Sequence, residues 1–219
     1  RDRDNTQRLA PSAGCSQRVD LPDGDVLLPV SYLPSATLDK DANTFDYSDA
    51  VLLCSMVARC GFDGQTLTYK EHGTQHSITR DHSRRLAERR GVEFSARGLA
   101  EPSLATLDGS FFLTLRSDHS AFVTKGKDGI NFDEVREWTF DDGEILGSYC
   151  TQQHWATIGG RLYLLYCRPS GNNDHIFRHR APIFIAEVDP ERLQVIRSTE
   201  RAAIPENNAG MGNFGICQI

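Results

Sequence analysis

Polar and apolar residues alternate along most of this chain in short runs, and the runs stop at glycine-centred turns. Three segments, 16–31, 101–116 and 152–168, repeat one plan: a short strand, a tight turn, then a more apolar strand. Their turns are Asp23-Gly24, Asp108-Gly109 and Gly159-Gly160, dipeptides suited to tight hairpins because those positions need positive φ. Each hairpin is followed by a second strand pair: 50–57 with 66–69, 120–124 with 132–138, and 181–188 with 193–197. Four antiparallel strands in every ~40–50 residues are the signature of a propeller blade.

The pattern therefore predicts an all-β fold, a β-propeller of four-stranded antiparallel blades, with a β-sandwich as the alternative. One partial domain over 1–219 holds a blade at 15–70, an insertion at 72–98, blades at 101–138 and 151–198, and the start of a further blade at 212–219. Within the insertion, 83–90 reads as a short surface helix, and little other helix is expected. A ring closes with about four to eight blades, so three and a beginning imply more. The charged start at Arg1 and the apolar finish at Ile219 read as the ends of a piece cut from a longer protein.

Composition narrows the partners. Hydrophobic residues make up 39% and charged residues 25% of the 219 positions, enough for a sizeable core. No apolar run reaches the ~18 residues of a membrane helix, so no membrane segment is expected. A net charge of −6 argues against a nucleic-acid partner, which needs a basic face. The six cysteines, at 15, 54, 60, 150, 167 and 217, show no C-x-x-C pair and no zinc-like pairing with histidine. Most read as small buried hydrophobes. They leave the compartment open, with a secreted or periplasmic location as the reading carried forward.

Hairpin geometry then groups the polar residues. The inner strand of a blade runs down beside the axis and its partner climbs back, so the hairpin's two ends share one rim. Glu101 lies eight residues before Gly109 and Arg116 seven after it. By the same reasoning Gln152, Gln153, His154 and Arg168 reach that rim. Asp118, His119, His175, Arg178, His179 and Arg180 follow at equivalent places. Each has a plainer explanation: Glu101 as a salt-bridge partner, Arg116 reaching to water along its stem, His154 as a core histidine. The spacing of Asp118, His119 and His154 does not support a metal site, and no cofactor is implied.

The hairpin from Glu101 to Arg116 resembles that of the exo-sialidases, in which a glutamate opens an inner strand, a D-G turn follows and an arginine closes the next strand. The resemblance implies a sialidase-like propeller. It also implies that Glu101 assists a tyrosine nucleophile and that Arg116 belongs to a triad holding the substrate carboxylate. Arg180, ahead of the strand at 181–188, is similar to a second triad arginine, with Arg178 as its competitor. The chain departs from the family elsewhere: 125–132 only faintly echoes the Asp-box, and 212–217 carries Phe214 where the tyrosine is expected.

The function expected is thus an exo-sialidase-like hydrolase acting on a terminal acidic sugar, with an acidic glycan or other carbohydrate as partner. Glu101 and His154 are its candidate catalytic groups, and Arg116, Arg168, Arg178, Arg180, His119 and His175 its candidate binding groups. Two alternatives stay open. One is a uronate lyase using His154, Tyr149 or His175 as base. The other is a glycan- or protein-binding propeller without turnover.

Overall fold

The computed structural model describes residues 8–34, 52–95, 97–147 and 151–217. The chain is all-β apart from one α-helix and short 3-10 turns, and its strands form three sheets that do not close on themselves. The first contains β1 (Arg8–Ser12), β2 (Val19–Asp20), β3 (Asp25–Pro34), β4 (Cys54–Phe62) and β5 (Leu67–His72). β1 and β2 lie end to end against one edge of β3, β4 pairs with its other edge, and β5 pairs with β4. The helix α1 (Arg80–Arg90) follows, three residues longer at its start than the 83–90 stretch read from the sequence. Thr79 caps it by accepting the His82 N–H at 3.1 Å, and Gly91 closes it with φ +64°.

The second sheet is a four-stranded meander of β6 (Ala100–Leu107), β7 (Ser110–Arg116), β8 (Ala121–Gly126) and β9 (Arg136–Glu137). In the third, β11 (His154–Ile158), β12 (Arg161–Tyr166) and β13 (Ile183–Asp189) pair in turn, preceded in the chain by β10 (Thr139–Phe140). Its outer edge is split between β14 (Gln194–Val195) and β15 (Arg201–Ile204), with a 3-10 turn at Arg197–Thr199 between them. β10 adds a parallel pair to β14 and makes this sheet six-stranded. Four strands to a sheet therefore describes the middle sheet, while the outer sheets have five and six. No strand forms over 211–217, where a new blade was expected to begin, and 218–219 lie outside the described residues.

Two of the three predicted tight turns, Asp108-Gly109 and Gly159-Gly160, have positive φ at both positions, whereas at Asp23-Gly24 only the glycine does and a wider turn closes with the Gly24 N–H donating to the Leu21 carbonyl at 3.0 Å. Gly24 has φ +87°, Asp108 and Gly109 have +49° and +72°, and Gly159 and Gly160 have +58° and +73°. Consecutive positive φ is the type I′ signature, which suits the twist of the strands it joins.

Packing follows from strand alternation. On β7, Leu113 and Leu115 face the first sheet, where they meet Leu27, Val57 and Leu86 of α1. Phe112 faces the other way, toward Trp138, Trp155 and Leu164 of the third sheet side. The middle sheet is thus buried on both faces, which is why β7 reads as a nearly continuous apolar run. Each such side chain, fully removed from water, contributes roughly 1.5–3 kcal/mol. Among the described cysteines none is bridged: Cys54, Cys60 and Cys167 are buried, while Cys15 and Cys217 are exposed.

His76 gives this core a pH dependence. Its backbone pairs with Ser55, its ring lies against Phe132, and its Nε2 is buried without a hydrogen-bond partner. Burial lowers its pKa from 6.5 to about 4. The neutral ring is native, so its contribution is intact above the unfolded value and is lost as pH falls through the folded one. Denaturant titrations should show roughly 3 kcal/mol lost between pH 7 and 4 through this group. His76→Asn should flatten that interval; an unchanged slope would remove His76 as its cause.

Candidate active site

The hairpin end predicted to carry chemistry is built on a β-bulge. Along β6 and β7 the paired residues run from Leu107 with Ser110 to Ser103 with Thr114, but Ala100 rather than Glu101 faces Arg116. One extra residue sits in β6, at Glu101-Pro102. Proline has no N–H for the ladder, so a bulge suits it. Glu101 takes φ +46°, a strained value for a residue with a side chain. Its N–H donates to Ser31 Oγ of β3 at 3.1 Å, joining the first and second sheets.

This turn of the backbone brings Glu101 against Arg116. Arg116 Nη1 donates to Glu101 Oε1 in a short ion pair, with side chains 7% and 23% exposed respectively. Glu101 Oε2 is buried and has no hydrogen-bond partner. Both residues line a cavity of about 240 Å³ together with Cys15, Ser31, Arg97 and Asp118. The Cys15 thiol is pushed up by desolvation first and by Glu101 next, while Arg116 and Arg180 pull it down. Four charged or thiol groups therefore share one electrostatic neighbourhood.

His154, on β11, lines a separate cavity with Ser16, Gln17 and Cys217, and its link to Glu101 is electrostatic. Burial lowers its pKa, offset by its bond to Phe214 and by the charge of Glu101. Its Nδ1 is 2.9 Å from Ser103 Oγ and its Nε2 is 2.8 Å from the Phe214 carbonyl. With the Nε2 proton donated to that carbonyl, Nδ1 is left to accept from the serine. Both nitrogens are engaged.

The remaining candidates are placed elsewhere. Arg168 binds Glu200 through Nε at 2.8 Å and Nη2 at 2.6 Å, with its guanidinium over the rings of Phe140 and Phe184. It is held in a structural pair rather than beside Glu101. His119 is buried, with Nε2 against the backbone of Ser95 and its ring stacked on Phe94. His175 and Arg178 are exposed, and Arg178 lies over Phe177 in a 3-10 turn with φ +57°. The lyase candidate Tyr149 lies outside the described residues, as does Cys150.

Among the cavity residues that escaped the sequence reading, two carry a thiol or a charge. Cys15 precedes the first hairpin, and Arg97 belongs to the insertion treated as surface. Gly98 was the signal for the second: at φ +87° its Cβ would meet Leu53 O at 2.4 Å, so the chain there is pressed against the first sheet. Among the described residues no three metal-ligating side chains converge, and no helix is long and apolar enough to cross a membrane.

No family model and no curated protein matches the sequence. Solved structures do resemble its fold. A β-1,2-mannobiose phosphorylase from Listeria innocua overlaps 95% of this chain and 63% of its own length, at TM-score 0.51 and 13% identity. A GH32 β-fructofuranosidase from Bombyx mori overlaps 82% and 35%, at 0.51 and 15%. A Trypanosoma rangeli sialidase overlaps 85% and 25%, at 0.45 and 14%. The chain thus spans less than two thirds of the length of each. The similarity is one of fold, shared with β-propeller carbohydrate-active enzymes of several kinds, and it does not single out the sialidases.

Proposed function

We propose that the cavity around Glu101 and Arg116 is the sugar site of a carbohydrate-active enzyme. The observation that carries this reading is the unpartnered, buried Oε2 of Glu101 beside a guanidinium in a cavity. A buried carboxylate oxygen without a donor is costly unless something arrives to supply one, and a sugar hydroxyl or an attacking water does so. The fold's likeness to enzymes named for mannobiose phosphorolysis and fructofuranoside cleavage is consistent with such a role.

In its finer form the proposal is hydrolysis of a terminal acidic sugar, of the exo-sialidase-like type. Glu101 takes a proton from the attacking water as its oxygen bonds to the anomeric carbon, and the glycosidic oxygen departs with a proton drawn from solvent as its bond to that carbon breaks. Arg116 holds the Glu101 carboxylate in place through their ion pair, and Arg180 adds positive charge within range of the same cavity. A glycan-binding module is the second reading. It draws on the engagement of both His154 nitrogens and on Phe214 at the place where the resembled family has its tyrosine.

The test is a panel of sialylated, uronate-containing and neutral glycans incubated with the full-length protein, with products identified by mass spectrometry. Glu101→Gln should lower product formation per folded molecule by about 10²–10⁴-fold. An unchanged rate in that variant would remove Glu101 from the chemistry. Binding without product in the wild type would favour the module.

A further inference from the structure

We infer that Arg97, supplied by the insertion before the second sheet, is the residue that grips the carboxylate of an acidic sugar in this cavity. The inference rests on the reading of the Glu101–Arg116 cavity as a sugar site. It departs from the expectation that Arg116 does this work. Arg116 is already neutralised by Glu101, so a carboxylate arriving there would have to displace or crowd another carboxylate.

Arg97 lines the same cavity under different constraints. Its backbone is pinned without help from its side chain. The N–H donates to Asp118 Oδ2 at 3.0 Å, and the carbonyl accepts from Leu53 N at 2.5 Å. Leu99 N then donates to Leu53 O at 2.8 Å, across a glycine that tolerates no side chain. The segment that presents the guanidinium is therefore fixed.

The guanidinium itself is lightly held. Its one ion pair among the described residues is Nε to Asp118 Oδ1 at 3.5 Å, and the side chain is 52% exposed. Asp118 is spent mainly on other donors, the Ser95 hydroxyl at 2.9 Å and the Arg97 backbone. That weak contact orients the stem but leaves the two terminal nitrogens, which carry four of the five donors of an arginine. A planar fork of this kind matches a carboxylate bidentately. The charged groups facing it in the cavity are Glu101, Asp118 and Arg116. Because the first and last pair with one another, Arg97 is the cation with donors to give.

The test is calorimetric titration of N-acetylneuraminic acid, glucuronic acid and glucose into full-length wild type, Arg97→Ala and Arg97→Gln. The acid that binds wild type should bind both variants about 10- to 100-fold more weakly, with glucose affinity and melting temperature unchanged. Undiminished acid binding in both variants would overturn the role of Arg97 and leave the sugar site standing. Equal loss of acid and glucose would also overturn it, since charge would not be what Arg97 reads. If glucose binds wild type and neither acid does, the inference falls alone. If no sugar binds wild type, the inference and the sugar-site reading fall together.

Discussion

Arg116→Ala is expected to lower the stability of this fold by about 3–5 kcal/mol and, on the proposed function, to abolish sugar processing with it. Arg116 is almost wholly buried and its partner Glu101 largely so. Removing the guanidinium leaves a carboxylate with one oxygen newly bare and the other already unpartnered. Breaking a buried pair from one side costs far more than the pair contributes, because the orphaned charge stays behind. The double variant Arg116→Met with Glu101→Leu separates the two effects. It should recover most of the stability, since a buried pair is often replaceable by apolar groups, but none of the activity. Denaturant unfolding of the three variants measures this. A loss below about 1 kcal/mol for Arg116→Ala would mean that water screens the pair, as it does at surfaces.

Arg168→Ala should be as damaging to stability and harmless to sugar affinity. Arg168 and Glu200 are 15% and 14% exposed, and Tyr166 donates a third bond to Glu200 at 2.6 Å. Burial alone would raise the Glu200 carboxyl, but the bonds from Arg168 and Tyr166 outweigh it and hold it below the ordinary range. The guanidinium also lies 5.5 and 5.0 Å from the ring centres of Phe140 and Phe184, adding cation–π attraction. Loss of Arg168 removes both, at about 3–5 kcal/mol. Affinity measured per folded molecule should stay at the wild-type value. A selective loss of affinity for acidic sugars would return Arg168 to the group of substrate-binding arginines.

These two arginines show where the sequence was informative and where it was silent. Both end an apolar strand after a tight hairpin, and hairpin counting treats them alike. Their partners differ. Glu101 lies on the neighbouring strand of the same hairpin, so local geometry can find it, helped by Pro102 as a sign of the bulge. Glu200 lies 32 residues beyond Arg168, after a strand edge broken by a 3-10 turn, and no local periodicity encodes that return. The hairpins themselves were legible because glycine and aspartate at their turns have few other uses. The fragmentation of the outer strands was not, since two-residue strands have no period to detect. Nor was the placement of Arg97, which depends on the insertion folding back onto Leu53.

The kind of chemistry was legible least of all. The hairpin from Glu101 to Arg116 resembles one family, while the fold is shared by several kinds of carbohydrate-active enzyme. Fold carries a site but does not choose its reaction. In the proposed reading the choice turns on a few side chains: the carboxylate of Glu101, the engaged imidazole of His154 and the cation presented by Arg97.

The most direct measurement is a crystal structure of the full-length protein with a bound sugar. The sugar is expected in the cavity between Glu101, Arg116 and Arg97, with one hydroxyl donating to Glu101 Oε2. A sugar bound only elsewhere, for instance in the separate cavity lined by Ser16, Gln17 and Cys217, with Glu101 Oε2 still lacking a donor, would contradict it.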